Sequence, residues 1–509
     1  INPERVSLAD IDTDYPPRLI DDVKKYLYSK DGLYCADIIT FNTIALKGAI
    51  RDVGRALEIP LKKIDDICKA VDVNEDNIRK KYPELFKYVD LLNGVIVSIG
   101  THPAGVVVSP YPLEDMIGTC TLKTTEYPVT QLNMKDVESI NLVKLDLLGL
   151  DNIDIINETC KLAKIERLTP DNIDENDEEV WKSIRNSSLG IFQWESQSAW
   201  EYYKQLFSED TIKKIKKINP DIKYIDLFSM GNGAIRPAGQ SYRNSLANGE
   251  FKDHGNEALN QFLSSTLGHL VFQEQIIEFL HKFCGFTLGE ADLVRRGFAK
   301  KTGTEQYMPK IKRGFTKIMK DEYGVSKEDS EKIIIDFIQV IEDASDYLFS
   351  INHSQAYSYI GYACAWLRYY YPLEFLAVML NVNEDNQDKT AKVFEYINKF
   401  TNIKVRPIKF RYSNAKYTID RDTNSIYKGI ASIKYMNEKI SNELFELGKK
   451  QYDDFVDLLV DIEEKTTCTS RQIEILIRLN FFSEFGKTNK LLSIYNEFSK
   501  GKNKYKKTY

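Results

Sequence analysis

Three carboxylates alternate along Ala9-Asp10-Ile11-Asp12-Thr13-Asp14-Tyr15. On an extended chain they project from one face in steps of about 6.5 Å. Like charges in a row repel, so this face needs a neutraliser, and a divalent cation is the natural one. Magnesium prefers one or two carboxylates together with substrate phosphate oxygens. The same pattern also suits a solvated edge strand whose charges deter edge-to-edge pairing. Taken alone, the segment does not choose between the two.

A second segment, Val143-Lys144-Leu145-Asp146-Leu147-Leu148-Gly149-Leu150, bears on that choice. Lys144 and Asp146 share one face of an otherwise apolar strand, and the apolar surroundings predict burial. A buried strand seldom carries an unpaired Lys and Asp. Either the two form an ion pair inside the core, or Asp146 completes a carboxylate cluster with Asp12 and Asp14 while Lys144 faces an anion. Three acids and a lysine on neighbouring strands suit two-metal phosphoryl or nucleotidyl transfer.

The 509 residues suggest roughly three to four domains. Strand patterns at 4–15, 36–41 and 106–148 bracket a helical stretch from 42 to about 97. This predicts one mixed α/β domain interrupted by a helical one. From 151 to 385 the pattern is mainly helical, with amphipathic stretches at 271–283, 288–301, 304–322, 326–346 and 354–380. Residues 383–392 read as a linker or an exposed helix start. Residues 403–500 read as a smaller module opening with short strands near Lys416–Ile419 and Ile426–Gly429. The tail from Lys500 to Tyr509 carries five lysines and is expected to be disordered.

Several function classes are disfavoured. The net charge of −6 is not that of a uniformly basic nucleic-acid binder, though it allows a local basic groove. Seven cysteines contain no C-x-x-C pair, so neither a zinc ribbon nor a redox dithiol is indicated. No apolar run approaches about 18 residues, which argues against a membrane span. Arg295, Arg296, Lys300 and Lys301 form a cationic ridge on a helix whose other side is apolar. The ridge is either a solvated face or a set of donors to phosphate. The aromatics from Tyr357 to Phe375 recur at helical spacing, which favours core packing over base stacking.

These residues resemble those of bacterial C-family DNA polymerases, the polymerase III alpha subunits, in the DnaE-like form. L-A-D-I-D-T-D-Y and V-K-L-D-L-L-G-L are similar to two palm motifs of that family. Residues 38–55, T-H-P-A-G-V-V-V-S (101–109), G-I-F-Q-W-E-S (190–196), I-R-P-A-G (235–239), V-F-Q-E-Q-I (271–276), A-D-L-V-R-R-G-F-A-K-K (291–301) and N-H-S-Q-A-Y-S-Y (352–359) follow in family order. The resemblance implies an α+β multidomain fold: part of a polymerase-beta-type palm (1–43 and 99–152), a helical thumb (44–98), large helical fingers (153–385), a helix-hairpin-helix-like module (386–500) and a basic tail (501–509). It implies Asp12, Asp14 and Asp146 as ligands of two Mg²⁺ ions, Lys144 near the reacting phosphates, and Asp10 and His102 as neighbours of the site. Arg295, Arg296, Lys300, Lys301, Arg236 and His353 are implied in nucleotide or DNA binding. Gln273 and Glu274, in matched motifs, read mainly as buried polar bonding.

The implied activity is DNA-directed DNA synthesis from deoxynucleoside triphosphates on a primer–template in the bacterial cytoplasm. The alternatives are a DNA-binding scaffold that keeps the fold, or another metal enzyme such as a nuclease. The family's N-terminal phosphoesterase-like domain and first palm segment are not seen, so the chain is expected to be a C-terminal portion needing that segment in cis or trans. The resemblance also makes 386–500 a clamp-binding region and a sliding clamp a candidate partner, although no clamp-binding peptide is recognisable. In Y-K-G-I-A-S-I-K-Y-M-N-E-K-I (427–440) the usual glycine-containing hairpin is replaced by Tyr435-Met436-Asn437, which puts duplex holding by this module in doubt.

Overall fold

The computed structural model describes residues 11–236, 242–300, 303–345 and 348–501, without the side chains of Lys300 and Ser345. The chain forms two compact units, 1–150 and 151–509.

The first unit is built on a six-stranded mixed sheet. In chain order its strands are β1 (Ile11–Tyr15), β2 (Tyr34–Thr43), β3 (Ile96–Ser109), β4 (Thr119–Cys120), β5 (Val129–Asn133) and β6 (Val143–Gly149). Their spatial order is β1-β6-β3-β2-β5-β4. β1 pairs only with β6, in parallel, and among the described residues it lies at the edge of the sheet. β6 in turn runs antiparallel to β3. One face of the sheet packs Leu145, Leu147 and Val106 against the helix Ile20–Tyr28 through Ile20, Val23 and Leu27. The opposite face carries Ala36, Ile38 and Val107, partly covered by Leu113 and Val137. The alternation of β6 therefore sends Leu145 and Leu147 one way, and Lys144 and Asp146 the other.

Between β2 and β3 the chain leaves the sheet as helices Leu46–Ala56, Leu61–Lys81 and Pro83–Leu92, which close on Ile50, Ile64, Val71 and Phe86. β3 begins ten residues before the predicted strand at 106. Its first half, Ile96–Thr101, pairs with Ile39–Thr43 as an exposed two-stranded arm. At the base of the arm the register jumps from Ile39↔Thr101 to Asp37↔Val106, so residues 102–105 bulge out of β3. Bulges of this kind bend a strand and re-aim its side chains.

The second unit is mainly helical, with three clusters of buried side chains. The largest gathers Trp181, Trp194, Tyr203, Phe228, Tyr362 and Phe375. Helices Tyr224–Ala234 and Ile351–Tyr370 approach closely within it: a β-carbon on Gly361 would stand 3.1 Å from the Phe228 ring. Tyr362 and Phe375 are fully buried, as core packing predicts, whereas Tyr369 and Tyr370 are exposed. The amphipathic stretch 354–380 is two helices, Ile351–Tyr370 and Pro372–Val382, because Pro372 cannot donate the hydrogen bond that would continue the first. A second cluster centres on Phe279, Phe283, Phe315 and Phe337. The polar stretch after 383 leads into helix Gln387–Phe400, which Asn386 caps.

Strands Lys404–Arg406, Thr418–Asp420 and Ser425–Tyr427 form a small sheet, the first of them unpredicted. Ile403 and Ile426 sink into the large helical cluster, and Asn381 exchanges two hydrogen bonds with the Tyr417 main chain. Ile408, Phe410 and Ile430 instead join the third cluster, formed by the helices up to residue 498.

Candidate active site

Asp12 and Asp146 are register partners across the parallel pair β1–β6. Partners in adjacent strands point to the same side, so both carboxylates leave one face, and Asp14 follows two residues along β1. Asp12 is exposed, Asp14 half-buried, and the Asp146 side chain is mostly buried. Thr13, on the opposite side of β1, ties the strands further by donating its hydroxyl to the Asp146 carbonyl at 3.2 Å.

Lys144 is 7 % exposed. Its ammonium lies 2.9 Å from Asp146 Oδ2 and 3.5 Å from Glu138 Oε1, and donates to Met134 Sδ at 3.6 Å. The pairing expected of two opposite charges on a buried strand is therefore present. It engages one carboxylate oxygen only. Asp146 Oδ1 is buried and has no hydrogen-bond partner among the described residues. Such an atom costs about 1–3 kcal/mol in lost solvation unless something satisfies it. A cation between Asp146 and Asp12 would do so. Among the described residues, no three His, Cys, Asp or Glu side chains are gathered closely enough to hold a metal ion as they stand. The acids share a face, and Lys144 supplies the positive charge.

The β3 bulge shapes the wall beside Asp146. Gly105 is the register partner of Asp146 across β3–β6. His102 Nδ1 accepts the N–H groups of Gly105 at 2.7 Å and Ala104 at 3.3 Å. Its ring proton is therefore on Nε2, and the ring is held as a brace for the bulge. A β-carbon at residue 105 would meet His102 Nδ1 at 2.9 Å and Asp146 Oδ1 at 3.4 Å. The glycine keeps the space beside the unused oxygen open. Nothing in the sequence pattern alone marks this role. Asp10 lies outside the described residues.

In the second unit, Arg295 and Arg296 lie on helix Leu288–Lys300. Both are paired with Asp292 of the same helix: Arg295 Nη2 at 3.0 Å from Oδ1 and Arg296 Nε at 3.2 Å from Oδ2. The ridge read from the sequence is thus partly neutralised and oriented by an acid three and four residues earlier, at helical pair spacing. Lys301 and the Lys300 side chain lie outside the described residues, as does Pro237.

The Arg236 guanidinium stands 3.8 Å over the Phe349 ring. Phe349 stacks on His353, His353 meets Tyr357, and Tyr357 packs edge-on to Phe192. All four rings are half-buried and form one file along the start of helix Ile351–Tyr370. Phe349 and Phe192 lie far apart in sequence, so no periodicity links them. Glu274 fixes the helix start by accepting from Ser350 Oγ at 2.8 Å and the Ile351 N–H at 2.9 Å, and Gln273 donates to the Leu348 carbonyl at 2.9 Å.

Family profiles match most of the chain. The profile described as "Bacterial DNA polymerase III alpha NTPase domain" covers residues 1–149, and "Bacterial DNA polymerase III alpha subunit finger domain" covers 150–323. "Helix-hairpin-helix motif" covers 402–492. The DNA polymerase III subunit alpha of Ureaplasma parvum is 30% identical over 520 residues, spanning 97% of this chain and 51% of that protein. Those of Campylobacter jejuni (31%) and Bacillus subtilis (29%) also align with 97% of the chain, and with 42% and 44% of their own lengths. The chain spans about half the length of these relatives or somewhat less. With both acidic strands paired in one sheet and these profiles following in order, this chain belongs to the bacterial DNA polymerase III alpha subunit family.

Proposed function

We propose that this chain carries the nucleotidyl-transfer residues of a DNA-directed DNA polymerase, which extends a primer 3′-hydroxyl with deoxynucleoside triphosphates. The observation that carries the reading is the direct opposition of Asp12 and Asp146 on paired strands, with one buried Asp146 oxygen left unused. Asp12, Asp14 and Asp146 would hold divalent cations, by preference two Mg²⁺ ions. Bound there, the cations would supply a lowered pKa for the attacking hydroxyl and charge neutralisation at the transferring phosphoryl group.

The chain's own residues do the rest. Lys144 neutralises Asp146 in the structure, and with a cation held by the acids its ammonium would be available to a phosphate. His102 and Gly105 hold the wall beside Asp146 in place, and Asp10 continues the acidic face. In the second unit, Arg295 and Arg296, oriented by Asp292, bind nucleotide or DNA phosphates together with Lys300 and Lys301. Arg236, His353 and their ring file offer stacking surface to bases.

On this reading, residues 1–43 and 99–152 are palm, 44–98 thumb, 153–385 fingers, 386–500 the helix-hairpin-helix-like module and 501–509 a basic tail, working on primer–template DNA in a bacterial cytoplasm. Among the described residues no helix is long and apolar enough to cross a membrane.

The Lys144–Asp146 pair also suits a scaffold that keeps the fold without catalysis. Primer extension in Mg²⁺ separates the two readings, run with the chain alone and with the unmatched part of the Ureaplasma subunit supplied in trans. Extension that disappears in Asp12→Ala and Asp146→Ala is expected. Salt-sensitive DNA binding with no extension under either condition would overturn catalysis in favour of the scaffold.

A further inference from the structure

The helix-hairpin-helix module has an unusual crest. The Met436 N–H donates to the Ile433 carbonyl at 2.9 Å and closes a turn over Lys434 and Tyr435. Tyr435, the third residue of that turn, has φ +76°. Glycine meets this conformation without steric cost, and for a bulky side chain it is an outlier. The surroundings enforce it. Met436 is buried in the module core, and the buried Gln472 amide donates to the Tyr435 carbonyl while accepting from Thr469 N at 2.8 Å. The hairpin is thereby clamped to the first turn of helix Ser470–Arg478.

That clamp also sets the side chains outside. Arg471 precedes Gln472, and its guanidinium lies 4.1 Å from the centre of the Tyr435 ring. The Lys434 ammonium is 5.3 Å from the same ring. Tyr435 remains 48% exposed, and Arg471 and Lys434 are exposed too. Among the described residues neither cation forms an ion pair with an acid. Strained backbone held by over-determined packing is a recurrent mark of a functional position. Here the strain lifts an aromatic ring out of the module, backed by one cation and flanked by another.

We infer that the Tyr435 crest is a binding site for single-stranded DNA, with a base stacked on the Tyr435 ring and neighbouring phosphates held by Arg471 and Lys434. A glycine hairpin lets duplex backbone approach main-chain amides, and a tyrosine in its place blocks that approach. A splayed base has a face for the ring, and the two unpaired cations match its backbone. A duplex interior offers neither a free base face nor room for the side chain. The site needs no metal and no catalysis, so it stands apart from the polymerase reading.

The test uses the full chain in EDTA, with fluorescein-labelled oligothymidylate and a blunt duplex as probes in anisotropy titrations. Tyr435→Gly and Arg471→Ala are each expected to weaken single-strand affinity by roughly 5- to 10-fold, with duplex affinity not lowered by Tyr435→Gly and Tyr435→Phe close to the parent. Glycine relieves the backbone, so Tyr435→Gly is expected to melt no lower than the parent. Loss of binding is then not loss of fold. Because the proposed polymerase residues would also hold DNA, a single strand bearing 5-iododeoxyuridine is photo-crosslinked and the adduct mapped by mass spectrometry. An adduct on Tyr435, competed by unlabelled single strand and not by duplex, supports the site. Unchanged single-strand affinity in Tyr435→Gly, or adducts elsewhere with none on Tyr435, overturns it.

Discussion

Lys144 and Asp146, two residues apart on β6, form an ion pair at 2.9 Å that uses one oxygen of the carboxylate and leaves the other buried without a donor among the described residues. The lysine thus acts as an internal counter-ion. Removing one partner of a buried pair strands the other, at a cost of about 3–5 kcal/mol. Lys144→Met is expected to lower stability by about 3 kcal/mol in EDTA. Millimolar Mg²⁺ should restore more stability to this variant than it adds to the parent, because the cation binds only the folded acids. Urea melts with and without Mg²⁺ measure both. Equal Mg²⁺ effects on the two proteins would count against a cation site at Asp146.

Gly105 keeps open the space beside the unused oxygen. In Gly105→Ala the new methyl would stand 2.9 Å from both His102 Nδ1 and Ile38 Cδ1, so the Ile38 side chain and the His102 ring that braces the bulge must give way. The expected cost is about 1–3 kcal/mol of stability. Primer extension should fall by about 100-fold, the scale of a 1 Å misplacement at a reacting centre. A variant that melts lower yet extends primers at the parent rate would show that the bulge serves folding alone.

Asp292 holds Arg295 and Arg296 on one side of their helix. Asp292→Ala removes the carboxylate that both guanidiniums share. The expected result is a KM for deoxynucleotide raised by about 10-fold with kcat little changed, the signature of lost binding shared by ground and transition states. Steady-state kinetics at varied nucleotide concentration measure the split. A fall in kcat at constant KM would mean that the pair orients groups for the chemical step.

His269 is 4% exposed, and its Nε2 lies 3.3 Å from Ser245 Oγ. Burial, with smaller contributions from Lys252 and His254, pushes its imidazolium pKa down to about 4. The folded state therefore keeps the ring neutral, while the unfolded chain protonates it near pH 6.5. Its contribution to stability is full above pH 6.5 and is lost as pH falls from there towards 4, reaching about 3 kcal/mol. Denaturation midpoints across that window should fall more steeply for the parent than for His269→Phe. Parallel curves would rule out this histidine as a source of acid sensitivity.

Much of the architecture follows local periodicity. The Lys144–Asp146 face of β6, the helical insertion between β2 and β3, and the long helices after residue 271 are all legible, because alternation and 3.6-residue spacing report which side of an element is buried. The arm Ile96–Thr101 was not legible. It is strand only because it pairs with Ile39–Thr43, more than fifty residues earlier, and its own side chains stay exposed. The break at Pro372 was written in the sequence and was hidden by apolar residues on both sides.

The sequence by itself determined which residues are acidic, which face of each strand carries them, and which family the chain resembles. Tertiary structure alone decided that Asp12 stands opposite Asp146, that Lys144 fills the charge gap from one side only, that Asp292 claims both arginines, and that Tyr435 is forced into a glycine's conformation. The reason is physical. Periodicity records burial, a property of single residues, whereas register, ion pairing and enforced backbone strain depend on which distant segment arrives alongside.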